Sequence, residues 1–212
     1  MQVKGNTQDE RKQLRQSFRK KRMALSVCEQ ENAAHNIVTT AIEHNLLSGV
    51  KRVALYVSQD GELDTQYLIR YLWEQQKEVY LPVLHPFCAG YLVFLEYSQT
   101  SAMKHNKFGI IEPMLDVTKL CPINKLDVIF TPLVVFDEKG NRMGMGGGFY
   151  DRTLQHMPVT RGNNKQLAAN SSIKQTKIIG LAHDVQKTLS LPTEVWDIPL
   201  PEILTPTKLY SF

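Results

Sequence analysis

DVIFTPLVVFDEKGNRMGMGGGFYDRTL, residues 127–154, holds in one line the parts from which an α/β ligand site is made. DVIFTPLVVFD (127–137) is the longest apolar run of the chain, interrupted by Pro132, and reads as a buried strand. Glycines at 144, 146, 147 and 148 follow, and FYDRTL then opens a helix. A plain surface turn needs one or two glycines to reach positive φ. Consecutive amides without side chains can instead converge on a phosphate, helped by the positive end of the next helix. Arg142 stands just before them and can give phosphate oxygens bidentate, charge-assisted bonds. The stretch is not a Walker A loop, because no Gly-Lys-Ser/Thr follows. Nor is it a dinucleotide fingerprint: counted from Gly144, the third glycine would fall at Phe149. The competing reading is a flexible loop whose Asp151 complements the helix dipole. Arg142 before the glycines and Phe149 to Arg152 after them favour the ligand site. Tyr150 serves either packing or ligand contact.

Outward from this stretch, RVALYVS (52–58), EVYLPVL (78–84), GYLVFLEY (90–97) and IIGLAH (178–183) read as further strands. Helices are expected over about 8–25, over 27–48 up to Ser48-Gly49, and around Leu68, Tyr71 and Leu72 with Asp64 or Thr65 as cap. The alternation predicts an α/β fold, three-layer α/β/α with a mostly parallel central sheet, as one domain over 1–212. The polar segment at 158–175 reads as a long loop. Ligands of such sheets bind beyond the carboxyl ends of the strands. The glycines fall at one such end, and Glu62, past the Asp60-Gly61 turn, falls at another. The two are expected to face opposite ends of one cleft. Glu62 is most simply a solvated turn carboxylate, with substrate contact as the alternative. Phe108 in HNKFGIIEP reads as buried packing, or as a ring against a flat ligand. Asp197 in EVWDIPLPEI is a turn or cap residue, or a carboxylate that holds Mg²⁺ through water beside phosphates.

The chain has 212 residues, 42% hydrophobic and 22% charged, with a net charge of +4, which suits a globular domain. No apolar run reaches the roughly 18 residues of a membrane span, and MQVKGNTQDERKQ lacks the apolar segment of a secretory signal. Cys28, Cys88 and Cys121 are odd in number and far apart, and the six histidines show no zinc spacing. A reduced, cytoplasmic protein is expected. The charge is uneven: RKQLRQSFRKKR (11–22) contains no acid. Leu14, Phe18 and Leu25 form one helical stripe, with Arg11, Arg15 and Arg22 beside it. A solvated face, a nucleic-acid contact and the lining of a cleft all remain open for this helix.

Taken together, the R-K-x-L-R helix, S-Q-D-G-E-L-D-T, the 127–137 strand, F-D-x-x-G-x-R with its glycine loop, I-G-L-A and L-P-x-E-x-W-D resemble the 5-formyltetrahydrofolate cyclo-ligase family over nearly the whole length. The resemblance implies ATP, Mg²⁺ and 5-formyltetrahydrofolate, polyglutamylated or not, as ligands of a monomer, with no nucleic acid and no membrane. It implies that Arg11, Lys12 and Arg15 reach ATP phosphates, and that Arg142 and the loop Gly144, Met145, Gly146, Gly147, Gly148, Phe149 and Tyr150 cradle the nucleotide. Val57, Glu62, Phe108 and Tyr150 would bound the folate pocket, and Asp197 and Asp151 would serve the metal. Arg142 and Tyr150 would be catalytic, Tyr150 orienting the formyl group or the transferring phosphate. Met145 and Gly147 stand where some members are basic, Trp196 where histidine is frequent, and His183 where an aromatic often follows I-G-L-A. A different ATP-dependent kinase or ligase on the same fold is the alternative; a nucleic-acid module using the basic helix would leave the glycine loop unexplained.

Overall fold

The computed structural model describes residues 7–155, 157 and 175–212. Of the polar loop expected at 158–175, all but Gln175 lies outside them. Two helices, α1 (Thr7–Met23) and α2 (Val27–Glu43), precede the first strand, β1 (Arg52–Ala54). Then come α3 (Gln66–Glu74), β2 (Glu78–Leu84), β3 (Leu92–Tyr97), β4 (Met103–His105), β5 (Ile111–Pro113), β6 (Leu120–Cys121), β7 (Val128–Pro132), β8 (Val135–Phe136) and β9 (Arg142–Met143). The chain ends with α4 (Phe149–Leu154), β10 (Lys177–Leu181), β11 (Glu202–Leu204) and β12 (Leu209–Ser211).

Eight strands form one sheet in the order β12-β11-β10-β7-β1-β2-β3-β6. The five from β11 to β2 run parallel, and β12 and β3 are antiparallel to their neighbours. The mostly parallel α/β sheet expected from the sequence is therefore present. Central strands bury both faces, which explains their continuous apolar runs. Val53, Val79, Leu81, Val128, Phe130, Ile179 and Leu204 point to the side of α2 and α3. Ala54, Tyr80, Ile129, Ile178 and Ile203 point the other way, where Leu154 of α4 and irregular chain around Leu126 and Leu200 complete the cover. Among the described residues, the second outer layer is thus one short helix plus loops.

Local chemistry sets the ends. Ser26 and Glu29 form a capping box at the start of α2. The helix expected to reach residue 48 stops at Glu43, because Asn45 takes φ 57° and Leu46 N–H returns to the Ala41 carbonyl at 3.0 Å. Asparagine tolerates this left-handed cap, whereas the apolar pattern carried on through Leu46 and Leu47 concealed the end. Thr65 precedes α3 without a side-chain cap bond; Asp64 instead accepts from Gln66 N–H at 3.0 Å. Pro132 ends β7, so the apolar run of 127–137 divides into β7 and β8.

The basic helix α1 belongs to neither face. Leu14 and Phe18 pack on Val134, Val135, Met143 and Leu191 in a separate small core near the carboxyl ends of the strands. α1 ends at Met23, so Leu25 lies beyond it, and the fully buried Arg22 extends its inward face instead. Among the described residues, no helix is long and apolar enough to cross a membrane.

Candidate active site

The segment F-D-x-x-G-x-R has a physical reason for each fixed residue. The buried Asp137 carboxylate accepts from the N–H groups of Lys139 (2.9 Å), Asn141 (3.0 Å) and Leu191 (3.1 Å), organising the turn between β8 and β9. Gly140 has φ +77°, and a Cβ there would lie 2.5 Å from the Leu200 carbonyl oxygen. The β8–β9 pairing then sets Arg142 opposite Phe136 and launches the glycine loop. In that loop Gly146 and Gly148 hold φ +99° and +65°, the left-handed region open to glycine. Gly147 does not have positive φ; its constraint is steric, because a Cβ would meet the Phe149 ring at 2.8 Å.

Two adjoining cavities open at the carboxyl ends of the strands. The larger, about 600 Å³, is lined by Val57 and Glu62 after β1, Leu133 after β7, Leu84 of β2 and the 106–112 hairpin. The smaller, about 210 Å³, is lined by Arg11, Arg15, Arg152, Trp196 and Asp197. Arg142, Gly144, Gly148 and Asp151 line both, so the glycine loop is the wall between them. Glu62 and the loop border the same larger cavity.

On this wall Arg142 is buried and gives Nη2 to Asp151 at 2.8 Å, while its inaccessible Nε has no partner. The Tyr150 hydroxyl is likewise inaccessible and unpartnered, and burial raises its pKa well above the ordinary tyrosine range. Unsatisfied buried polar atoms are rare enough that two on one cavity wall mark a place where a ligand or water completes the bonding.

Glu62 is no solvated turn residue. Its side chain is 8% exposed, and Arg22 lies 3.8 Å away. Burial pushes its pKa up to about 7, against the opposing pull of Arg22 and the Gln59 N–H. Phe108 is likewise the reverse of buried packing: it is exposed at the tip between β4 and β5, edge-on to Phe149 with ring centroids 5.7 Å apart.

Along α1, Arg11, Arg15, Arg19 and Arg22 form one line of spacing four, four and three, facing the cleft. Arg11 forks onto Asp197 at 2.5 and 2.9 Å, which joins a residue nominated for phosphate to one nominated for metal. Arg15 Nε donates to the Gly144 carbonyl at 2.9 Å. Lys12 is exposed and lines neither cavity. Arg19, which the sequence did not single out, and Arg22, which it set beside the apolar stripe with Arg11 and Arg15, both grip Asp60. Arg22 also donates to the carbonyls of Asp60 (2.8 Å) and Leu133 (3.1 Å), fastening the Glu62 turn to the end of β7. The signal available in the sequence is the helical spacing of the four arginines together with the Asp60-Gly61 turn.

Among the described residues, no cluster of three or more His, Cys, Asp or Glu side chains is set to hold a metal ion. Asp151 and Asp197 both line the smaller cavity, each bonded to an arginine. That donor set fits Mg²⁺, which commonly takes one or two carboxylates and completes its shell with phosphate oxygens and water.

Residues 7–206 match the description of the 5-formyltetrahydrofolate cyclo-ligase family. The chain is 48% identical to the 5-formyltetrahydrofolate cyclo-ligase of Haemophilus influenzae, over 94% of this chain and 98% of the relative. It is 45% identical to the Escherichia coli protein of the same name, over 92% and 100%. In structure it is similar to the 5,10-methenyltetrahydrofolate synthetase of Aquifex aeolicus, with TM-score 0.75, 25% identity and coverage of 95% and 92%. The fold is also that of the Mycoplasma pneumoniae synthetase, with TM-score 0.67 and 22% identity over 92% of this chain and 98% of the other. The chain therefore belongs to the 5-formyltetrahydrofolate cyclo-ligase family of enzymes.

Proposed function

We propose that the chain converts 5-formyltetrahydrofolate and ATP into 5,10-methenyltetrahydrofolate, ADP and phosphate, with Mg²⁺. The observation that carries this reading is the shared wall: a large, mainly apolar cavity and a small, cation-lined one meet at Arg142, Gly144, Gly148 and Asp151. The small cavity suits the triphosphate, through the glycine amides and Arg15 and Arg142. The large cavity suits the flat folate, between Val57, Glu62, Phe108 and Tyr150. Asp151 and Asp197 would hold Mg²⁺, which supplies charge neutralisation at the phosphates.

A formamide oxygen is a poor leaving group, so ring closure needs it activated. The formyl oxygen attacks the γ-phosphorus, ADP departs, and the formyl carbon becomes electrophilic as its oxygen carries the phosphoryl group. The neighbouring folate nitrogen then bonds to that carbon and loses its proton, and the C–O bond breaks with release of phosphate, which carries that proton as hydrogen phosphate. Such a sequence asks the protein mainly for alignment and charge stabilisation. Arg142 would steady the charge on the transferring group, and the unpartnered Tyr150 hydroxyl would hold the formyl or phosphoryl oxygen. The arginines of α1 support this reading over a nucleic-acid surface, since they engage Asp197, Gly144 and Asp60 within the cleft. The test is the absorbance of the methenyl product: it should grow with 5-formyltetrahydrofolate, ATP and Mg²⁺ and stay flat without ATP. Product formation independent of ATP would refute the coupling.

A further inference from the structure

We infer that Arg152 is a positioning residue: it straps the wall between the two cavities to the β2–β3 connection and thereby sets the alignment of the two substrates. The inference rests on the two-cavity reading above. Arg152 Nε donates to the Gly90 carbonyl at 2.9 Å, and its Nη2 donates to the Gly147 carbonyl. The guanidinium sits in a socket from which side chains are excluded. A Cβ on Gly90 would lie 2.5 Å from Arg152, and one on Gly148 would lie 2.7 Å from Nη1; both glycines have positive φ. The same guanidinium lies over the Phe149 ring, 5.7 Å from its centroid.

Two further bonds follow the same line. Leu92 N–H donates to Thr153 Oγ at 3.0 Å, and Gln155 Nε2 donates to the Tyr91 hydroxyl at 3.0 Å. Gly90 and Tyr91 of the β2–β3 connection and Leu92 at the start of β3 are thus tied to α4 and to Gln155 just past it. A glycine-rich wall has little rigidity of its own, because each glycine adds backbone freedom. A planar guanidinium with donors at fixed angles can bridge two carbonyls and remove that freedom, whereas an ammonium is a single point. Since a misplacement of about 1 Å can cost roughly a hundredfold in rate, the strap acts on kcat rather than on binding alone.

The test compares kcat, the KM of each substrate and thermal unfolding for wild type, Arg152→Ala, Arg152→Lys, Gly90→Ala and the double variant Gly90→Ala/Arg152→Ala. Gly90 lines neither cavity, so it reports on the strap without touching a ligand. Arg152→Ala should lower kcat about ten- to a hundredfold, and lysine should restore little of it. Gly90→Ala should lower kcat in the same way, and the double variant should be no slower than Arg152→Ala. If Gly90→Ala does not fold, Thr153→Val replaces it under the same criterion. An unchanged kcat in Arg152→Ala, multiplying losses in the double variant, or a rise in the KM of ATP alone with Gly90→Ala silent would overturn the inference; the last would make Arg152 a direct phosphate contact. The ATP requirement of wild type is read in the same assay. Failure of the underlying reading therefore shows in wild type, and failure of the strap shows only in the variants.

Discussion

Glu62→Gln should weaken folate use and at the same time make the protein more stable above neutral pH. Burial raises the Glu62 pKa from 4.5 to about 7, and the Arg22 charge and the Gln59 N–H recover only part of the ionised form. The sign follows from where the proton is held more tightly. The folded carboxyl keeps its proton through the range in which the unfolded one has lost it, so wild-type stability falls as pH rises from 4.5 towards 7 and levels off above. At about 1.4 kcal/mol per pKa unit, the penalty is under about 1 kcal/mol at pH 5 and roughly 3 kcal/mol at pH 8. Glutamine has the same shape and never ionises, so the difference between variant and wild type isolates this one group from every other titration. For a chain of this size the gain corresponds to a melting temperature higher by about 6–12 °C at pH 8, with little difference at pH 5. Thermal unfolding of both proteins at the two pH values measures it. Meanwhile the KM for 5-formyltetrahydrofolate should rise by about ten- to a hundredfold, the loss of one charged hydrogen bond. A variant equally or less stable than wild type at pH 8 would show that the carboxylate is well solvated or fully paired with Arg22, and the reasoning would fail.

Arg142→Ala should reduce kcat/KM for ATP by about ten- to a hundredfold, the worth of a charged hydrogen bond of about 1.5–3 kcal/mol; steady-state kinetics would show it. Gly148→Ala should raise the KM of both substrates, since Gly148 combines φ +65° with a Cβ position 2.7 Å from Arg152, whereas Gly144→Ala, with nothing within 4 Å and no positive φ, should leave folding untouched. Melting temperatures and kinetics of the pair separate strain from simple bulk. Arg11→Ala and Asp197→Ala should each cost about 3–5 kcal/mol of stability, because either leaves a largely buried charge alone, and the double variant should cost less than their sum. Denaturant unfolding of the four proteins of that cycle decides it.

What the sequence disclosed about the fold follows from periodicity. Strands buried on both faces are continuous apolar runs, and EVYLPVL coincides with β2 residue for residue. Short elements carry no such signal: β4, β5, β6, β11 and β12 have two or three residues each and exist because a neighbour supplies the hydrogen bonds. That is why the β4–β5 hairpin went unseen and Phe108 read as buried. The burial of Glu62 is hidden from the sequence for a related reason. A carboxylate after Asp-Gly is usually solvated, whereas here the distant Arg22 of α1 lies 3.8 Å from a side chain that is 8% exposed. The arginines of α1 were legible as a group but their partners were not, since Asp60 and Asp197 lie far along the chain.

The position of the wall explains why the informative residues concentrate in 137–152. The proposed phosphoryl transfer would need the nucleotide and the formyl oxygen in contact, so the partition between the two cavities would have to be thin. Glycines at 144, 146, 147 and 148 remove side-chain bulk from most of it. Thinness brings looseness, and the flanks offset it: Asp137 and Gly140 fix the turn on one side, and Arg152 fastens the other to Gly90. Arg15 joins from above through the Gly144 carbonyl. In the proposed reaction, then, the glycines permit close approach while the charged residues around them give the partition its shape. Substitutions at Asp137, Arg15 or Arg152 should therefore resemble loop mutations in their kinetics, although none of the three lies in the glycine sequence itself.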